Sequence, residues 1–175
     1  MFDPLFERLA NRRVFALVFL FECALLWLIW LNALTIWQRT GFDILDVRFG
    51  YSLDEVNATF RAYDAQAWRA YEAIQILEFL HPVVAATLLG TLIWGLADGE
   101  RWRWLALTPF MVALFDYAEA VMLWRMTVVN LPVDARTAEL ASAFSVIKQA
   151  GLAAVVVVLL MMFTRRLIQP LFHKA

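Results

Sequence analysis

The chain has 175 residues, of which 63% are hydrophobic and only 18% charged, with a net charge of −1 and one cysteine, Cys23. Soluble domains carry roughly 45–50% apolar and about 25% charged residues, so the composition excludes an ordinary soluble core, disorder, a collagen-like repeat and a disulfide scaffold. The absence of a basic surplus excludes a nucleic-acid partner.

The first long apolar segment is Val14–Trp37. Arg12 and Arg13 precede it as in a signal peptide, but the run is too long for an h-region and no A-x-A-like site closes it. It is read as a retained first span. A long connection, Gln38–Ala73, follows. Gly41–Tyr51 is turn-rich and mixed in charge; Ser52-Leu53-Asp54-Glu55 then fits a capping box. Val56, Phe60, Tyr63, Ala67, Tyr71 and Ile74 recur at three- and four-residue steps, which predicts an amphipathic helix over about 52–73. It is expected to lie on the membrane surface, to extend the second span, or to form a lid over a site beneath it.

Three more apolar segments follow, Ile74–Leu96, Trp104–Met126 and Val146–Leu167. At 1.5 Å per residue, segments of this length reach about 33–36 Å, enough for a ~30 Å hydrocarbon layer. Lipid offers the backbone no hydrogen-bond partners, so the spans are predicted as helices. The turn Ala97–Arg103 makes spans two and three antiparallel neighbours, and the linker Asn130–Ala143 contains Pro132. Gly151, Ala153 and Ala154 give span four a small-residue patch suited to close packing.

Orientation is read from Lys and Arg. With the N-terminus inside, the inner pieces hold Arg8, Arg12, Arg13, Arg101, Arg103, Arg165, Arg166 and Lys174, against Arg39, Arg48, Arg61, Arg69, Arg125 and Arg136 over many more outer residues. Both termini are therefore expected in the cytoplasm. Trp30, Trp37, Trp94, Trp102, Trp104 and Trp124 lie near span ends, as an aromatic belt requires.

The functional candidates are polar residues that lipid disfavours, at roughly 2.5–3.5 kcal/mol for each mid-bilayer charge. They are Glu22 in span one, Glu78 and His81 in span two, Asp116 and Glu119 in span three, and Lys148 at the head of span four. Counting rise per residue places His81 and Glu119 about 10 Å below the outer boundary and Glu78 about 6 Å, with Asp116 one turn deeper than Glu119. Lys148 sits near the outer boundary, its amine expected to snorkel outward. These five could share one layer, whereas Glu22, at about 22 Å, stands apart. Acids exceed firm cations even if Arg125 reaches in, so protonated carboxyls, a cationic His81 or a bound cation or ligand must compensate.

Glu78-x-x-His81 is also the ligand pair of carboxylate-bridged dimetal bundles. The second Glu-x-x-His and further Glu are missing, because span four offers only Lys148 and Gln149. A hydrogen-bonded polar pair, with Pro82 bending the helix after it, a proton or ligand site, and a metal site stay open in that order. No metal ligand set is assigned. His173 is too far from His81 for paired haem ligation.

The stretch from Phe42-Asp43 through Arg48-Phe49-Gly50-Tyr51-Ser52, then Leu77-Glu78 with Pro82, then Pro109 with Asp116-Tyr117-Ala118-Glu119, resembles a group of small four-span bacterial membrane proteins. That group carries a D-x-R-x-G-Y-S outer segment, an acid shortly before a proline in span two, and L-P-x-x-A-x-x-D-x-x-E-N in span three. Here Ala120 stands where its asparagine follows the Glu, and Thr108 replaces its leucine. The resemblance implies four spans and interest in Glu78, Asp116 and Glu119. It supplies no reaction.

The expectation is therefore an all-α, single-domain integral membrane four-helix bundle over residues 1–175, with an extracytoplasmic amphipathic helical segment, in a bacterial inner membrane. Its function is expected to be binding of a small ligand, cation or lipid headgroup by Glu78, His81, Asp116, Glu119 and Lys148. Membrane lipid is the expected partner, with a larger membrane complex or a second copy as a variant. The alternative is a membrane enzyme using carboxylate and histidine acid–base or metal chemistry on a lipid or hydrophobic substrate. A proton-coupled transporter lacks its inverted repeat. No cofactor is identified.

Overall fold

The computed structural model describes residues 3–97, 100–128 and 133–172, and every regular element among them is helical. The elements are α1 (Asp3–Leu9), α2 (Arg12–Thr40), α3 (Leu53–Ala62), α4 (Ala65–Leu77), α5 (His81–Leu96), α6 (Glu100–Arg103), α7 (Thr108–Val128) and α8 (Ala135–Phe172), with 3-10 turns at Leu45–Val47 and Trp104–Leu107. α2 packs on α4 and α5, α5 on α7, and α7 on α8.

Three stretches are long and apolar enough to cross a membrane: Arg12–Thr40, Trp104–Thr127 and Ala135–Ile168. The α4–α5 pair passes the same test jointly, bent by 43°. Leu17, Leu20 and Trp27 on α2, and Val157, Leu160 and Met161 on α8, are exposed. Such apolar surface suits lipid contact.

Three sequence expectations need correction. The second apolar segment is not one helix. Its break lies at Glu78–Leu80, before Pro82, because proline cannot donate to the carbonyl four residues back and its ring clashes there. Tyr117 Oη donates to the Phe79 carbonyl at 2.8 Å within that break. The helix expected over 52–73 is two helices. The Ser52–Glu55 capping box starts α3. Asp64 then caps α4, accepting from the Gln66 and Ala67 amides, a local bond that competes with helix continuation. Finally α8 begins at Ala135, eleven residues before Val146, with Asp134 accepting from the Thr137 amide. Its polar first turns hide this start from hydropathy. Pro132 lies outside the described residues, as do His173 and Lys174.

The buried apolar residues form two cores. One lies at the end carrying α3 and α4, here the connector end, and joins Ile36, Leu45, Val56, Phe60, Tyr71 and Leu123. The other gathers Phe6, Ile93, Ala106 and Val155 at the opposite end. Within the small-residue patch, Gly151 is the close approach, since an added Cβ would stand 2.9 Å from Val112 Cγ2; Ala153 and Ala154 are exposed.

Candidate functional site

Between the two cores lies a cavity of about 400 Å³. Leu26, Ala85, Leu89, Val112, Leu152 and Val155 contribute apolar walls. Asp46, Glu78, His81, Asp116, Lys148 and Gln149 contribute the polar part.

The connection after α2 builds much of this rim. After Gly41 the chain runs back along α8, with Ile44, Leu45 and Tyr51 still in the connector-end core. Lys148 Nζ donates to the Asp46 carbonyl at 3.0 Å and Ser145 Oγ to the Arg48 carbonyl at 2.8 Å. The Tyr51 amide donates to Ser142 Oγ at 2.9 Å. Residues 46–51 thus run antiparallel to 142–148, with their polar backbone groups met by α8 side chains. Such pairing is what irregular backbone between apolar helices requires. Gly50 is required twice over. Its φ is +78°, and an added Cβ would lie 3.1 Å from Val146 and 3.3 Å from Ser142.

Lys148 does not snorkel outward. Its side chain is only 11% exposed, and Nζ lies 2.5 Å from Glu119 Oε2 and 3.1 Å from Asp116 Oδ1. The reason is the early start of α8, which puts Lys148 thirteen residues into the helix, about 20 Å along it. Asp116 and Glu119 come from successive turns of α7 and converge on that one amine. Tyr51 Oη donates to Glu119 Oε1 at 3.3 Å. Burial first, then the Glu119 charge, push the Tyr51 phenol up, which keeps it a donor.

Glu22 does not stand apart. Its Oε1 lies 2.7 Å from His81 Nδ1. The depth count began span two at Ile74, whereas the bent column begins at Ala65, sixteen residues before His81. The same count puts Glu22 eighteen residues from the end of α2, so the two are level.

Glu78 and His81 do not act as one i, i+3 pair. The break separates them: Glu78 lines the cavity with Asp46, while His81 meets Glu22. Of the five predicted residues, Glu78, His81, Asp116 and Lys148 line the cavity and Glu119 is joined to it through Lys148; Lys148 meets Asp116 and Glu119, and His81 meets Glu22.

Asp46 is the residue that sequence reasoning missed. It is 6% exposed, it lines the same cavity as Glu78, and its Oδ2 receives no donor. Burial pushes the Asp46 carboxyl up, against the opposing pull of Lys148. Two signals pointed to it. It is a lone acid among Ile44, Leu45 and Val47, and it opens the D-x-R-x-G-Y-S stretch.

Among the described residues, no three His, Cys, Asp or Glu side chains form a group that could hold a metal ion. No family model, curated protein or solved structure matches the chain.

Proposed function

We propose that the chain is an integral membrane protein whose four helical columns bundle around an amphipathic cavity that binds a small ligand, cation or lipid headgroup. The columns are α2, the bent α4–α5 pair, α7 and α8. The observation that carries this reading is the 400 Å³ cavity, where Asp46, Glu78 and Asp116 share a rim with Lys148 as the fixed cation. That volume is in the range of small-molecule sites, about 300–1,000 Å³, and mixed apolar walls with a few convergent polar groups are their usual lining. Surplus carboxyls in such a place favour whatever neutralises them.

In this reading the 41–64 connection and α3 are extracytoplasmic, both termini are cytoplasmic, and the membrane is a bacterial inner membrane. The arginine distribution and the resemblance to small four-span bacterial proteins support this placement. Membrane lipid is the immediate partner. A larger membrane complex or a second copy would use the exposed apolar faces of α2 and α8.

The test uses the full chain in phosphatidylcholine nanodiscs, with decylamine, decanol and decanoate as probes. At least one probe is expected to raise the melting temperature saturably, and Ala85→Trp, which fills the cavity, is expected to remove the shift. Equal shifts in wild type and Ala85→Trp for all three probes would sink the reading.

A second reading, an enzyme acting on a lipid or hydrophobic substrate, draws on the Glu22–His81 contact. A carboxylate at Nδ1 orients an imidazole and leaves Nε2 for proton transfer, and His81 lines the cavity. The second reading expects wild-type turnover of a lipid or hydrophobic substrate that His81→Asn abolishes; absence of wild-type turnover leaves the first.

A further inference from the structure

Resting on the cavity reading above, we infer that the ligand is a primary aliphatic amine, its ammonium seated between Asp46 and Glu78 and its chain lying along the apolar walls.

The other acids at this level already have cationic or imidazole partners. Lys148 serves Asp116 and Glu119, and His81 faces Glu22. Asp46 and Glu78 line the same cavity. Neighbouring carboxyls facing one cavity disfavour each other's ionisation, so they retain a proton until a cation joins them. Asp46 is buried, lines the cavity, and has an oxygen with no donor. An ammonium supplies one positive charge and three donors from a compact head.

The lining also discriminates among cations. Among the described residues it contains no Phe, Tyr or Trp, so they offer no aromatic cage for a quaternary ammonium. The described side chains offer no metal-holding group. An anionic head would meet Asp46, Glu78 and Asp116, with Lys148 already engaged. The walls are aliphatic, which suits an alkyl chain. At about 30 Å³ per water-sized group, 400 Å³ holds roughly a dozen non-hydrogen atoms. Decylamine is therefore a fitting probe.

Entry of the ammonium releases the proton retained by Asp46 and Glu78. The groups facing that event are Glu22 from α2, Asp46 and Tyr51 from the connection, Glu78 and His81 from the bend, Asp116 and Glu119 from α7, and Lys148 from α8. Amine binding is expected to strengthen as pH rises until the amine itself deprotonates.

The experiment is calorimetric titration of the full chain in phosphatidylcholine nanodiscs with decylamine and with decanol of equal chain length. Each is run in two buffers of different ionisation enthalpy. Decylamine is expected to bind about tenfold tighter or more, the range for a charge-assisted hydrogen bond, and to release about one proton. Asp46→Asn is expected to remove both the preference and the proton release; Glu78→Gln is the second variant should Asp46→Asn misfold. If both probes bind equally and Ala85→Trp blocks both, the amine class fails while the cavity reading stands. If Ala85→Trp blocks neither, both fail. Adding phosphatidylethanolamine to the disc assigns the source: competition with decylamine makes the amine a lipid headgroup, and its absence makes it a free amine.

Discussion

Lys148→Met removes the cation that holds two helices and the folded-back connection together. In the wild type the amine contacts Glu119 at 2.5 Å, Asp116 at 3.1 Å and the Asp46 carbonyl at 3.0 Å, with the side chain 11% exposed. Methionine keeps the length of the stem, so little packing is lost and the change is mainly electrostatic. Removing one partner of a buried ion pair typically costs about 3–5 kcal/mol, because the remaining charge is left uncompensated. For a chain of this size each kcal/mol moves the midpoint by about 2–4 °C, which gives a drop of about 6–20 °C. The assay is thermal unfolding followed by circular dichroism in nanodiscs of fixed lipid composition. A second measurement isolates the cause. Adding Glu119→Gln to Lys148→Met removes one stranded acid and should recover stability by about 1–2 kcal/mol, a coupling normal for residues in one network. A drop of less than about 2 °C in the single variant, or no recovery in the double, would refute the idea that this amine neutralises buried acids.

Four further outcomes follow from the geometry. Arg39 donates to Asp64, which also caps α4, and the Arg39 hydrogen bond leads in holding the Asp64 carboxyl down at about 2. Its contribution is present above the unfolded value of about 3.9 and lost as pH falls through about 2. Asp64→Asn keeps a capping side chain and should flatten the wild-type loss of melting temperature over that acid window. An added Cβ at Gly90 would stand 2.6 Å from the Ala106 carbonyl and 3.1 Å from Phe110, so Gly90→Ala should destabilise by about 1–3 kcal/mol in denaturant titration. Gly95 has nothing within 4 Å, and Gly95→Ala should be neutral or stabilising by under about 1 kcal/mol. Ser52→Ala breaks the capping box of α3 and should cost about 1 kcal/mol, with faster amide exchange confined to residues 53–56.

Much of the architecture was legible from residue chemistry alone. Long apolar runs identify α2, α7 and α8 because desolvating a helical backbone needs no knowledge of its neighbours. The Ser52–Glu55 box marks the start of α3 for a similarly local reason. Counting likewise puts four acids, Glu22, Glu78, Asp116 and Glu119, inside the apolar segments, where Arg125, Arg165 and Arg166 stand within two residues of a segment end.

Which acid meets which base was decided by tertiary structure. Pro82 breaks a helix that hydropathy reads as continuous, and the break separates Glu78 from His81, which meets Glu22. Polar first turns conceal that α8 begins at Ala135, and this alone moves Lys148 from a boundary to the centre of the network. Asp46 belongs to a connection that folds back along α8, held by side chains about a hundred positions away. Apolarity and capping are properties of neighbours in sequence, so a linear reading finds them. Neutralisation of buried charge depends on distance in space, and only the packed chain sets that distance.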